Sequence, residues 1–217
     1  MRGLIGKKIG MTRVFNSRGS SIPVTVLEVG PCYVTQVKTV KKDGYDAVQL
    51  GFLELKMKHT TKPLHGHFKN SNVKPTKVLA EFKSVPDFDY KTGQIFNVSL
   101  FSEGDFVSVS GKSKGRGFAG TIKKYSFSTQ RKTHGQGDTH RHVGSIGAAS
   151  DPSRVFPGKK MPGRYGNKTV SVKDLEVISV NESKNQLLVK GSVPGATNGI
   201  VYITRYCLLY TSDAADE

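Results

Sequence analysis

Apolar positions along this chain come in short bursts that alternate with polar ones or run β-branched. Met11–Asn16, Val24–Gly30 and Tyr33–Thr39 each end on turn signals, at Ser17–Ser20, Gly30–Pro31 and Lys42–Gly44. Asp46–Leu55, Val78–Val85, Gln94–Leu100 and Phe106–Ser110 continue the pattern. After a long interruption Val170–Val180, Gln186–Lys190 and Ile200–Thr204 resume it. Many short strands separated by turns predict a mainly β chain folded as a closed or nearly closed barrel. Two short helices interrupt it. One starts near Thr61, with Pro63 in its first turn, inside a small helical insertion at 56–77. The other spans Gly117–Phe127, where Phe118, Ile122, Tyr125 and Phe127 leave one apolar side and Lys123 and Lys124 point outward. No internal repeat is visible.

The interruption is where composition changes the picture. Thr129–Gly147, "TQRKTHGQGDTHRHVGSIG", has two apolar residues, Val143 and Ile146, and one acid, Asp138. From Lys112 to Lys168 thirteen Lys and Arg face two acids, Asp138 and Asp151, and ten glycines are interspersed. The rest of the chain holds twenty Lys and Arg against fifteen acids. Most of the net charge of +16 therefore sits in one glycine-rich segment. A stretch this poor in apolar residues cannot bury enough surface to offset its chain entropy. Its order must come from an anionic partner. Nucleic acid is the first candidate and an anionic membrane surface the second. Interleaved Phe118, Tyr125, Phe127, Phe156 and Tyr165, with several Pro-Gly and Gly turns, argue against a plain linker.

The remaining totals narrow the class. A chain of 217 residues with 36% hydrophobic content and mean hydropathy −0.36 can bury a real core. No apolar run approaches the roughly 20 residues of a membrane span, and no secretory signal is expected from the basic N-terminus. With only Cys32 and Cys207, a disulfide framework is not expected and the cytosol is the expected compartment.

Candidate chemistry is sparse. "GKS" at Gly111–Ser113 lacks the upstream glycine of a phosphate loop, because Phe106 stands there. Lys112–Gly120, "KSKGRGFAG", reads better as backbone and cations packed against a phosphate chain, where Gly permits close approach and Lys112, Lys114 and Arg116 supply charge. His65, His67, His134, His140 and His142 have no neighbouring Cys and loose spacing, so no metal site is expected. His134, His140 and His142 read instead as polar or stacking groups beside phosphate. "VGSIG" is not a nucleophile elbow, since Val143 stands two before Ser145. Asp151–Pro152 reads as a turn. No cofactor or small-molecule substrate is expected, and no enzymatic activity.

Eight motifs in order resemble one family. "GLIGKKIGMTRVF", "SIPVTVLEV", "SKGRGFAG" followed by "GTIKKYSF", "GSIG", "SRVFPGKKMPGRYGN", "LEVISV" and "LLVKGSVPGA" are similar to the bacterial form of the L-three family of large-subunit ribosomal proteins, over Met1 to about Arg205. The resemblance implies a translation-protein-type β-barrel with a long, irregular basic internal extension. It implies an arm that reaches towards the peptidyl-transferase region, with its tip at about His142–Ser153. It implies direct binding to 23S rRNA, early help in subunit assembly, neighbouring large-subunit proteins as partners, and a cytoplasmic location in the ribosome. Family-like rRNA contacts map onto Lys7, Lys8 and Arg13, onto Lys114, Arg116, Lys123 and Lys124, and onto Arg154, Lys159, Lys160 and Arg164. The charge reading adds Lys112, Arg131, Lys132, His134, His140, Arg141, His142 and Lys168. Two positions depart from the family. Ser150 stands where some members carry a methylated glutamine, and Val143 where a proline often stands.

The expected organisation is a barrel begun by 1–125, the rRNA-penetrating arm at 126–166, and the last barrel strands at 167–206. The tail 207–217, "CLLYTSDAADE", changes composition abruptly and reads as a translated sequencing adapter, so it is left out of the fold. Two rival classes are a nucleic-acid chaperone outside the ribosome and a basic β-barrel enzyme. The second would need converging polar groups around a perturbed titratable residue, and no such set is visible.

Overall fold

The computed structural model of the chain describes residues 3–85 and 88–205, so the set-aside tail 207–217 lies outside the described residues. The strands are β1 (Gly3–Phe15), β2 (Ser21–Val29), β3 (Cys32–Lys38), β4 (Ala47–Glu54), β5 (Thr76–Lys83), β6 (Ile95–Phe96), β7 (Phe106–Lys112), β8 (Phe118–Ala119), β9 (Gly163–Arg164), β10 (Thr169–Asn181), β11 (Gln186–Lys190) and β12 (Ile200–Arg205). Short helices are α1 (Val40–Asp43), α2 (Lys62–Ser71) and α3 (Thr121–Tyr125). Two compact units result: Met1–Ser113 with Thr169–Glu217, and Lys114–Lys168.

In the first unit a closed barrel forms in the order β1-β12-β7-β10-β11-β2, with antiparallel neighbours throughout. Period-two alternation fills it. Leu27 and Val29, Val107 and Val109, Leu187 and Val189, and Val201 and Ile203 are buried at every second position of their strands. Closure leaves no barrel edge open to another chain. The seams of β1 with β12 and with β2 require glycine. A Cβ on Gly3 would lie 2.6 Å from the Ile203 carbonyl oxygen, and one on Gly6 would lie 2.9 Å from that of Glu28. These close approaches place Gly3–Gly10 in β1, although the pattern of apolar positions marks only its second half from Met11. Glycine weakens a strand signal, yet here it lets two backbones meet.

Not every strand before the basic segment enters the barrel. β5, β4, β3 and β6 form a separate four-stranded sheet in that order. Val34, Val48, Leu50 and Phe52 of this sheet join the barrel residues in one continuous apolar cluster. Leu4 and Ile5, consecutive in β1, are both fully buried within that cluster. Helix α2 starts where Pro63 places it and buries Phe68. His67 Nε2 lies 2.7 Å from Gln49 Oε1, whose other partner is the Thr35 hydroxyl at 2.8 Å. The imidazole therefore donates to the amide oxygen and ties α2 to β4.

The helix expected over Gly117–Phe127 contracts to α3. Gly117 has φ +62 and Gly120 is extended at φ −68, ψ 165, so the helix cannot start before Thr121. Phe118 belongs instead to β8 and faces solvent.

Candidate nucleic-acid interface

The second unit has almost no interior. Of its residues only Ala119 and Thr121 are buried. Its shape comes from backbone bonds and local polar contacts. β8 and β9 form a two-stranded antiparallel ribbon that pairs Phe118 with Arg164 and Ala119 with Gly163. Arg116 N–H donates to the Tyr165 carbonyl and Tyr165 N–H to the Gly117 carbonyl, each at 2.9 Å. Gly166, at φ +74, passes so close to Lys114 that a Cβ there would strike its carbonyl oxygen. These contacts hold the two ends of the segment together.

Beyond the ribbon, α3 presents its cations differently from the expected outward pair. Lys123 is exposed. Lys124 is half-buried, its ammonium 5.0 Å from the Tyr125 ring centroid, and Lys160 approaches the same ring at 5.8 Å. Arg154 lies 5.7 Å from the Phe156 ring. Each of these cations is oriented by a ring while its charge stays accessible. Residues 130–142 form a polar knot. Gln130 N–H donates to the His140 carbonyl at 3.1 Å, and His140 Nδ1 donates back to the Gln130 carbonyl at 2.8 Å. The Gln136 amide donates to Gln130 Oε1 and to the Thr139 hydroxyl. The Ser153 hydroxyl donates to the Ser150 carbonyl, and residues 149–152 form a turn.

Around this scaffold Lys114, Arg116, Lys123, Arg131, Lys132, His134, Arg141, His142, Arg154, Lys159, Lys160, Arg164 and Lys168 are exposed, and His140 is half-buried. Several cations of the first unit meet carboxylates, as in Lys38–Glu81 at 2.7 Å, Lys190–Glu176 at 2.8 Å and Arg205–Asp105 at 2.8 Å. The second unit offers Asp138 and Asp151 as its carboxylates. A field this one-sided attracts polyanions.

In the first unit Arg13 and Lys112 are exposed, and Lys7 is half-buried with a loose 3.9 Å approach to Glu28. Lys8 stands apart from these cations. It is 9% exposed, and its ammonium donates to the Val193 carbonyl at 2.7 Å and to that of Gly195 at 3.4 Å. A buried ammonium must be hydrogen-bonded, and these carbonyls supply its partners.

Among the described residues of the first unit, a cavity of about 420 Å³ is lined by Gly3, Asp46, Phe82, Lys83, Ser84, Val85 and Thr204. The Cys32 thiol lies buried against the Ile5 carbonyl, and burial pushes it up to about 12, so it stays protonated and a poor nucleophile. Among the described residues no group of three His, Cys, Asp or Glu side chains comes together to hold a metal ion, and no helix is long and apolar enough to cross a membrane.

Comparison with known proteins agrees with this picture. The family model described as "Ribosomal protein L3" matches residues 87–187. The large ribosomal subunit protein uL3 of Thermotoga petrophila is 50% identical over 203 residues, covering 94% of this chain and 96% of the relative. That of Petrotoga mobilis is 49% identical with 94% of each covered, and that of Herpetosiphon aurantiacus 47% identical over 205 residues, with 94% and 96% covered. Near-complete coverage at this identity extends the likeness across barrel, second sheet and basic segment alike: the chain belongs to the ribosomal protein L3 family, whose members are structural and not enzymatic.

Proposed function

We propose that this protein, a structural constituent of the large ribosomal subunit in the cytoplasm, binds 23S rRNA directly, chiefly through Lys114–Lys168. The observation that carries this reading is the pairing of dense positive charge, set against only Asp138 and Asp151, with the near absence of an interior in that unit. Exposed Lys and Arg displace the counterions that folded RNA would otherwise condense, and this release drives binding. The ribbon, the ring-oriented cations and the 130–142 knot hold the charges in a fixed order, so they match one arrangement of phosphates better than another. Arg13 and Lys112 of the barrel unit add exposed cations of their own. The segment reaches into the subunit towards the peptidyl-transferase region, where its role is to brace RNA. Binding early, it helps nucleate assembly, and neighbouring large-subunit proteins cover part of the remaining surface.

A competition assay tests this. The purified protein prefers a 23S rRNA fragment to unrelated structured RNA of equal length at matched salt. Equal affinity would support a general RNA chaperone instead. Replacing Lys159, Lys160 and Arg164 by Ala lowers the slope of log affinity against log salt by about one unit for every phosphate that is no longer neutralised. An unchanged slope would mean these cations face solvent in the complex.

A further inference from the structure

Phe118 stands apart from the other rings of the second unit. Tyr125 lies beside Phe127 at 6.2 Å and under two lysines, and Phe156 lies beside Arg154. Those rings are already engaged within the chain. Phe118 is 78% exposed, and among the described residues neither a ring nor a cation stacks on it.

Its position is fixed rather than incidental. Ala119, the next residue of β8, is buried, so strand alternation sends Phe118 to the outer face of the ribbon. Arg164 is its register partner and shares that face, with Cβ atoms about 5 Å apart in such a pair. The bonds between Arg116, Gly117 and Tyr165 lock the register next to it. The result is a flat apolar ring held outward, with Arg164 as its neighbour on the paired strand.

The surroundings select the occupant. An apolar protein partner would need an apolar patch, and the adjoining residues are Gly115, Arg116, Gly117 and Arg164. A nucleotide fits better, because it carries a π face and an anionic phosphate together. A base inside a duplex has both faces covered, whereas an unpaired base leaves one free. We propose that Phe118 is a stacking platform for one unpaired nucleobase of the rRNA, with Arg164 contacting a phosphate of the same strand. This rests on the rRNA-binding reading above.

The experiment uses the full chain and transcribed 23S rRNA. The protein has no tryptophan, so F118W introduces a single fluorophore at the site. F118W binds the transcript like wild type, and its emission is strongly quenched at saturation. F118L keeps the apolar bulk without the π face and loses about 5- to 150-fold in affinity, as removal of one base–aromatic stack does, with an unaltered salt slope. Exposure of the side chain means that both variants retain the wild-type melting profile. Wild-type affinity of F118L, or an unquenched F118W at saturation, overturns the proposal. So does normal rRNA binding by F118L coupled with failure to enter assembled subunits, which would make the ring an anchor for a neighbouring protein. Loss of rRNA preference by wild type would instead sink the parent reading, so the two failures are distinguishable.

Discussion

The barrel and the basic segment are organised by opposite means. In the barrel, Leu27, Val109, Leu187 and Ile203 are fully buried, and each contributes on the order of 1.5–3 kcal/mol by leaving water. In the segment, Ala119 and Thr121 are the buried residues, and shape rests on glycine turns, backbone pairs and side-chain amides. The contrast extends to charge. Several barrel-unit cations meet carboxylates or, as Lys8 does, backbone carbonyls, whereas most of those in the segment are exposed. One unit has its binding partner inside itself, and the other is built to receive one from outside.

That contrast breaks most sharply if the segment is removed. Deleting Ser128–Met161 abolishes selective rRNA binding but leaves cooperative thermal unfolding of the remainder, monitored by circular dichroism, because the deleted stretch holds no buried residue. A broad, non-cooperative melt would show that the barrel depends on it. The converse change is Leu27→Ala, which creates a cavity and costs about 2–5 kcal/mol in denaturant unfolding. The folded fraction should keep wild-type rRNA affinity.

Lys8→Met sharpens the boundary between the two kinds of cation. It leaves the Val193 and Gly195 carbonyls without their donor and lowers stability by about 1–3 kcal/mol. The salt slope of rRNA binding stays at the wild-type value, and a fall of about one unit would put Lys8 back on phosphate. The smallest effect is a pH dependence. Hydrogen bonds from Lys38 and then Tyr45 hold the Glu81 carboxyl below its ordinary 4.5. A depressed folded-state value stabilises above the ordinary value and is lost as pH falls through the folded one. Glu81→Gln should therefore flatten the acid limb of the melting-temperature profile slightly and leave neutral rRNA binding untouched. An acid limb as steep as that of wild type would count against the pair.

How much was legible in the sequence follows the same division. Barrel strands announce themselves because burial on one face imposes alternation, as in Gln186–Lys190 and Phe106–Ser110. The first half of β1 escapes that signal because Gly3 and Gly6 serve backbone approach, which no hydropathy pattern records. Separation of β3, β4, β5 and β6 into their own sheet is also invisible to it, since strand partners are chosen by tertiary register. In the segment, charge density was readable and geometry was not. Phe118 looks like one of four apolar residues on a helix until Gly117 and Gly120 break that helix. Lys8 looks like its neighbour Lys7 until strand alternation turns it inward. A glycine at each of those turns, or a carbonyl pair at the right height, decides the outcome, and neither carries a side-chain signature.

The pairing of Gly3 with Thr204 has a temporal consequence. β1 is synthesised well before its partner β12, so the cylinder cannot seal until β12 has emerged. A loop this long makes closure a late event, and the cationic stretch between them is exposed to the cytosol before the sixth stave arrives. A nascent chain in this condition presents its cations while still half-made, so the proposed grip on rRNA needs no finished barrel.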